Sequence, residues 1–244
     1  MTVFVATSAS IALDSTELVG YVNSLTLNAT AEAKEYTTLG NGGWKAYAAG
    51  LSMVTLDAVG FNDFASTGLD VQVPLTGFGA SSAYCVSVPG TTAADPAFFG
   101  AGVRSSQLPA GFKFGEVSDW SIGLTGNGKI VRGSLLHPSA ARTASGTGTA
   151  VAFTTPTATQ SLYASFHVLS VTGAGTLTLK VQTDDNGSFT TPTDRITSSA
   201  FAAVGSQQTS LAGALAGETH MRTTWTVTGF TSVTFIVAAG VTTT

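Results

Sequence analysis

The run SLTLNATAEAK at residues 24–34 is the stretch of this sequence that most restricts the possible folds. Its odd positions carry leucine or alanine, and its even positions carry polar residues. Because successive side chains of a strand point to opposite faces, this period of two predicts a long strand with one apolar and one polar face. At about 3.3 Å per residue the run spans roughly 36 Å, longer than the usual strand of five or six residues. It therefore predicts an extended sheet.

The following segments predict how this strand is continued. LGNGG at 39–43 predicts a loop, and alternation at 51–60 predicts an antiparallel partner strand. Asp95-Pro96 predicts the start of one short helix, and GNG at 126–128 predicts a hairpin turn. Residues 3–12 and 69–75 are predicted as short strands, with a turn at 14–16 between the first of them and the long strand.

The whole chain is predicted to be all-β with one short helix. Residues 1–140 are predicted to form one β domain and residues 151–244 a small β-sandwich. The Gly, Ser and Thr content of residues 141–150 predicts a linker between the two domains. The strands of the sandwich are expected at 161–171, 176–183, 194–201, 220–229 and 231–240.

Composition points to assembly. Only 10% of the residues are charged, against a usual figure of about 25%, and the mean hydropathy is +0.30. A free monomer needs surface charge to stay dispersed, so this chain is expected to cover much of its surface with other subunits. With ten basic and 14 acidic residues and no basic cluster, it lacks the charge pattern of a tight nucleic-acid binder. The sequence predicts no secretion signal and no membrane anchor.

No catalytic, metal or cofactor site is predicted. The three histidines lack metal-binding spacing, and no nucleophile elbow or phosphate-binding loop is present, so the chain is expected not to be an enzyme. His167 alternates with core residues and is expected on an outer strand face. Asp184, Asp185 and Asn186 could offer oxygen ligands to calcium, but the sequence favours a turn. The single cysteine, Cys85, is expected to be a buried packing thiol.

Residues 5–137 resemble the major tail tube protein of long-tailed bacteriophages with non-contractile tails. The resemblance rests on the long strand at 24–34, the loop that contains Thr37-Thr38 and Gly42-Gly43, the returning strand at 51–60, and GEVSDWSI leading to Arg132-Gly133. The second half is similar to β-sandwich domains appended to such proteins. The low basic content and the glycines in the expected helix, Gly100 and Gly102, depart from the family pattern.

This resemblance implies a tail-tube-type β-sandwich/barrel, six copies to a ring, and rings stacked into a tube through which the genome passes. The protein would then be part of the virion tail, assembled in the host cytoplasm, with other tail proteins at the tube ends. DNA would pass without specific binding. A trimer with pseudo-sixfold symmetry, in which both halves build the wall, is the alternative arrangement.

Strand geometry agrees with a tube that admits duplex DNA. If six subunits contributed four strands each, a spacing of about 4.8 Å and a tilt of about 40° would give a circle roughly 48 Å across, or roughly 38 Å inside the side chains. The polar face of the long strand would line the channel, which makes the following residues candidates for the lumen: Ser24, Thr26, Asn28, Thr30, Glu32 and Lys34.

A different class of function remains open at this stage. A carbohydrate-binding or adhesive β-sandwich module would use exposed aromatic rings such as Trp44, Tyr163 or Trp225 to stack on sugars. Against this alternative, Trp225 alternates in phase with Val227, which predicts that Trp225 is buried.

Overall fold

The computed structural model describes residues 9–38, 44–62, 69–112 and 114–243, and it confirms the all-β fold. The described helices are a single turn, α1 (Leu69–Gln72), and a 3-10 turn, Leu75–Gly77. The predictions for residues 3–8 and for the loop at 39–43 lie outside the described residues. The strands are β1 (Ser10–Leu13), β2 (Thr16–Glu17), β3 (Val22–Glu35), β4 (Tyr47–Phe61), β5 (Ser81–Ser87), β6 (Pro96–Gly111), β7 (Asp119–Gly126), β8 (Val131–Arg142), β9 (Gly146–Thr147), β10 (Val151–Ala152), β11 (Gln160–Thr172), β12 (Thr176–Asp184), β13 (Thr193–Thr197), β14 (Gly205–Ala212), β15 (His220–Thr228) and β16 (Ser232–Thr243).

The chain forms two compact units that interleave along the sequence. The first unit contains Met1–Tyr21, Ser81–Ala101 and Ile130–Thr244, and the second contains Val22–Ala80 and Gly102–Lys129. This division differs from the predicted pair of domains at 1–140 and 151–244. Ending the chain at residue 149 would test the sequence prediction that residues 1–140 and 151–244 fold independently.

The first unit contains the predicted sandwich. Strands β11 and β16 pair antiparallel in one sheet, and β15 pairs with β12 in the other. Leu162 and Phe166 of β11, Leu179 of β12 and Phe235 of β16 belong to the shared core and are fully buried. Each such leucine contributes about 2 kcal/mol relative to an exposed position. The apolar alternation of these strands is therefore explained by one buried face in each sheet.

A second core cluster of the first unit lies on the opposite face of β16. Ile236 and Ala238 pack there with Phe99, Leu135 and Cys85. Strand β16 is thus buried on both faces, which explains its nearly continuous apolar run. Burial raises the pKa of the Cys85 thiol to about 12, as expected for a packing cysteine.

The second unit is organised around the predicted long strand. Strand β3 pairs antiparallel with β4, β4 with β7, and β7 with the second part of β6. Leu56 of β4 lies opposite Leu27 on one side and Leu124 on the other. The inner face of this sheet carries the buried residues Val54, Leu56, Ala58, Trp120, Ile122 and Leu124.

The predicted helix after Asp95 is wrong, because the segment forms β6. The Asp95 carboxylate accepts hydrogen bonds from the backbone N–H groups of Thr91 and Thr92, which precede it. Asp95 therefore closes a turn with the residues that precede it, and it does not cap a helix formed by the residues that follow. Residues Pro96 to Phe99 then pair with β8 in the first unit.

Three further predictions need correction. Residues 69–75 form α1 and the start of the 3-10 turn instead of a short strand. The strands around 126–128 are present, but β7 pairs with β4 and β6, and β8 pairs with β6 and β16, so they do not form a hairpin. Strand β14 was not predicted, because GSQQTSLA lacks an apolar alternation.

The turn after β1 agrees with the prediction. Asp14 adopts the left-handed conformation, with φ of 51°. Its carboxylate accepts a hydrogen bond from the backbone N–H of Ala83 at 2.9 Å. Aspartate tolerates this conformation better than most residues, so the residue type fixes the turn.

Candidate assembly surface

The outer face of the second unit's sheet is polar and nearly uncharged at its centre. One row across three strands joins Thr26, Asp57 and Gly123, and a parallel row joins Asn28, Thr55 and Thr125. Asp57 supplies the single charge in these rows. These two rows are therefore hydroxyl-rich and weakly acidic, whereas the rows on either side contain an exposed apolar residue, Val59 opposite Ser24 and Met53 opposite Thr30.

A glycine shapes the centre of this face. A Cβ atom on Gly123 would overlap the Ser106 hydroxyl oxygen and would lie 2.9 Å from an Asp57 carboxylate oxygen. Ser105 donates to the Gly123 carbonyl oxygen at 3.2 Å, and Thr125 donates to the Ser105 hydroxyl at 3.0 Å. The short side chains are thus tied to the sheet instead of projecting from it.

All six lumen candidates of β3 are exposed, and from residue 28 to residue 35 their neighbours in the strand are exposed too. Lys34 forms an ion pair with Glu32, so the two charges at this end of the strand neutralise each other. Across the strand pair, Lys45 contacts Glu35 at 3.0 Å in the same way. That this face lines a channel stays a prediction. The exposed set is Ser24, Thr26, Asn28, Thr30, Glu32 and Lys34.

The opposite face of β3 is only partly covered. Leu25 and Leu27 are half-buried and lie opposite Ala58 and Leu56, whereas Ala29 is exposed. The predicted apolar face of β3 is therefore covered at the two leucines and open at Ala29. Ala29 marks the point where β3 extends beyond its own core.

Strand β3 presents a long free edge. Within the described parts of the chain it pairs with β4 and with no other strand. Unpaired N–H and C=O groups along such an edge are a template for pairing with another chain. The sequence predicts the length of this strand, but its edge position follows only from the strand order.

Exposed large apolar side chains are concentrated in the second unit. Among the described residues of the first unit, the exposed large apolar side chains are those of Val19 and Val204. Those of the second unit are Tyr36, Trp44, Tyr47, Leu51, Met53, Val59, Phe61, Val71, Leu75, Phe78, Leu108, Phe112, Phe114 and Val117. Apolar surface gathered in this way is typical of a protein–protein interface. Sequence patterning missed it, because an exposed phenylalanine looks like a core residue.

The aromatic residues of the alternative interpretation have different surroundings. Trp44 is 81% exposed, whereas Trp225 is 6% exposed and donates its indole N–H to the Ala144 carbonyl oxygen at 2.9 Å. Tyr163 packs against the second core cluster of the first unit. The prediction that Trp225 is buried is confirmed, so it cannot offer a flat open face to a sugar.

His167 is buried, so its predicted position on an outer face is wrong. Strand β11 is covered on both faces, which sequence alternation alone does not reveal. The ring Nδ1–H donates to the Asp14 carbonyl oxygen at 2.7 Å, and Nε2 lies 2.8 Å from the Ser165 hydroxyl, which donates to it. Burial lowers the pKa of His167. The histidine is a neutral structural residue of the first unit.

His137 is a second buried histidine of the first unit. Its Nδ1–H donates to the Phe235 carbonyl oxygen at 3.2 Å, and its Nε2 accepts the Arg142 Nε–H at 2.9 Å. The ring stacks on Phe235 with 4.1 Å between ring centroids. Burial, with the adjacent Arg142 charge, lowers the pKa of His137 to about 4.

This shift predicts acid sensitivity. Because the folded pKa lies below the unfolded value of 6.5, the contribution of His137 is complete above pH 6.5 and is lost as pH falls toward 4. The loss is on the order of 3 kcal/mol. Urea unfolding at pH 7 and pH 4.5 should show a smaller pH dependence for His137→Gln than for the unchanged chain. Equal pH dependence of the two proteins would contradict the assignment.

The acidic segment after β12 forms a loop. Asp184 accepts the backbone N–H of Thr191 at 2.9 Å, and the Asn186 side chain bonds Asp185 and lies 3.3 Å from Asp184. Over the described residues, no group of three or more histidine, cysteine or acidic side chains is placed to hold a metal ion. Asp184, Asp185 and Asn186 organise the loop between β12 and β13.

Neither described helix is long and apolar enough to cross a membrane.

Comparison with known proteins gives no family. No family model matches the chain, and no curated protein matches it. Among solved structures, it is similar to a chain of the virion of a native gene transfer agent particle, with 16% identity, a TM-score of 0.41, and coverage of 52% of this chain and 97% of that one. It is also similar to a chain from the tail of an empty gene transfer agent particle with C6 symmetry, with 16% identity, a TM-score of 0.36, and coverage of 45% and 80%.

A third similar structure is the SPP1 Dit protein, described as a paradigm of the hub adsorption apparatus in phages that infect Gram-positive hosts. It shares 13% identity and a TM-score of 0.36, with coverage of 96% of this chain and 99% of that one. All three TM-scores lie below 0.5, so these similarities leave the function to be argued from the chain's own residues.

Proposed function

We propose that the protein is a structural subunit of a phage tail, and that it assembles as stacked rings into the tube that conducts the genome. The observation that carries this proposal is the second unit's sheet of four antiparallel strands, with a polar outer face and a free edge on β3. Closing such sheets from several subunits into one wall removes every free edge. Cyclic symmetry provides that closure.

The outer face of the sheet suits the inside of the tube. Hydroxyl side chains, the Asp57 carboxylate and the Glu32–Lys34 ion pair give a weakly acidic wall along which DNA slides instead of binding. Ser24, Thr26, Asn28, Thr30, Glu32 and Lys34 are the residues of β3 that we place on this lumen. The sheet's four strands equal the number per subunit from which a six-subunit ring wide enough for duplex DNA was calculated.

The arrangement around the sheet supports contacts between copies. Burial of the exposed apolar side chains of the second unit in an interface is favourable, and the chain's low charge provides little repulsion between copies. We place the protein in the virion tail, with other tail proteins at the ends of the tube. A trimer with pseudo-sixfold symmetry is the alternative ring, and image averaging of assembled rings distinguishes the two.

Assembly should depend on the exposed rings of the second unit. We expect the purified chain at high concentration to form rings or tubes visible by negative-stain microscopy. Phe78→Ser with Phe114→Ser should raise the concentration needed for assembly roughly tenfold or more, because each buried phenylalanine contributes about 2 kcal/mol. Sedimentation velocity measures this concentration.

The matched control replaces the exposed apolar residues of the first unit. Val19→Ser with Val204→Ser removes side chains that are 44% and 48% exposed, and it should leave assembly unchanged. A chain that stays monomeric at every concentration, also in the presence of tail ends as initiators, would overturn the proposed function.

A further inference from the structure

The buried His137 is one of the residues that line a cleft in the first unit. Its volume is about 410 Å³, which is in the range of small-molecule sites. The lining combines one arginine, three threonines and an apolar side, and it consists of Thr92, Ala93, Leu136, His137, Pro138, Arg142, Thr147, Gly148 and Thr149. Among the described residues that line the cleft, Arg142 carries the only formal charge.

The Arg142 guanidinium is held in place from two sides. Its Nε–H donates to Nε2 of the neutral His137 at 2.9 Å, and its central carbon lies 5.1 Å from the centroid of the Trp225 ring. His137 is itself fixed by its bond to Phe235. The side chain therefore has little rotational freedom to lose when a ligand binds.

The remaining N–H groups of Arg142 are available to a ligand. In the described part of the chain no carboxylate pairs with this guanidinium, in contrast to Arg195, which pairs with Glu218 at 2.5 Å. A guanidinium presents its N–H groups as a planar fork that matches a carboxylate in two parallel hydrogen bonds. A fixed arginine that lacks a protein carboxylate is suited to an incoming one.

The rest of the lining indicates what carries this carboxylate. Thr147 and Thr149 offer hydroxyl groups, and Ala93 and Pro138, which are half-buried, offer an apolar side. This combination suits a sugar ring, which has hydroxyl groups at its edge and C–H groups on its face. A single guanidinium balances one negative charge, which favours a carboxylate over a doubly charged phosphate.

We propose that this cleft is a binding site for an acidic sugar, with the carboxylate on Arg142. The residues that line the site all belong to the first unit, so the binding proposal does not depend on ring formation by the second unit. It adds a ligand-binding role to a chain whose second unit supports assembly.

The test is titration of the soluble full-length chain with sodium D-glucuronate, followed by calorimetry and by tryptophan fluorescence. We expect binding with a Kd of about 1 mM, and at least roughly tenfold weaker binding of neutral D-glucose and of acetate. Acetate that binds as well as glucuronate would overturn the sugar assignment. Inorganic phosphate that binds more tightly than glucuronate would overturn the carboxylate assignment.

Arg142→Gln should weaken glucuronate binding about tenfold or more, and Arg142→Lys should restore only part of it, because lysine lacks the fork. The control is Arg222→Gln. Arg222 lies over the Phe189 ring at 4.2 Å in the same unit but does not line the cleft. Unchanged thermal unfolding shows that each variant is folded. Unchanged affinity in Arg142→Gln, or an equal loss in Arg222→Gln, would overturn the proposal.

Discussion

Ending the chain at residue 149 is expected to unfold the first unit. The cut removes β16, which pairs with β8 and carries Ile236 and Ala238 into the cluster around Phe99. It also removes most of the main core, including Phe166 and Leu179. With each large buried side chain contributing about 2 kcal/mol, the loss exceeds the 5–15 kcal/mol stability of a typical domain.

The rate at which the Cys85 thiol reacts measures this unfolding. In the full-length chain its thiol is buried, with a pKa of about 12, so it should react with a thiol reagent only after unfolding. In the truncated chain the reaction should be faster by orders of magnitude and should match the full-length chain in urea. A truncated protein that keeps Cys85 protected and melts cooperatively would instead support residues 1–140 as an independent domain.

The sequence predicts the strands well where one face is buried. Val54, Leu56 and Ala58 alternate with polar residues, and β4 forms as expected. The pattern fails where a strand is buried on both faces, as at His167, because a polar side chain within the core has the same spacing as one in water. Whether a polar group meets protein or solvent depends on distant segments, here the turn at Asp14.

Strand order was less predictable than strand position. The turn at 126–128 suggested a hairpin, but β7 and β8 pair with other strands. A local turn motif shows that the chain reverses direction there, but it does not show which strands pair with each other. The same limit affects the domain division, since β16 lies next to β8 although 89 residues separate their nearest ends.

The candidate surface was partly visible in the sequence. Alternation predicted the exposed polar side chains of β3, but it did not predict that Ala29 on the apolar face is exposed as well. The exposed rings of Phe61 and Phe114 carried no such signal, because their exposure results from where the sheet of the second unit ends. The sequence also did not indicate that Arg142 is held in place. Its contact with His137 lies within β8, but its contact with Trp225 comes from β15, which is distant in sequence.

Adding positive charge to the predicted lumen should make assembled tubes retain DNA. The chosen change is Asn28→Lys with Thr30→Lys. Both positions are exposed and lie opposite Thr55 and Met53, so neither new lysine directly faces the Asp57 carboxylate. Folding and assembly should be unaffected, because these side chains end in water. Each subunit gains two charges on a wall that we place next to DNA phosphates.

The measurement is cosedimentation of short duplex DNA with assembled tubes at low and high salt. We expect retention at low salt to rise at least about tenfold over the unchanged tubes, and to be lost at high salt as counterions compete for the phosphates. The control, Thr226→Lys with Thr228→Lys, adds the same charge at exposed positions of β15 in the first unit. Because a lumen concentrates charge from every subunit around one duplex, the control should retain less DNA. Equal retention by the two variants would show that the polar face of β3 does not line the channel.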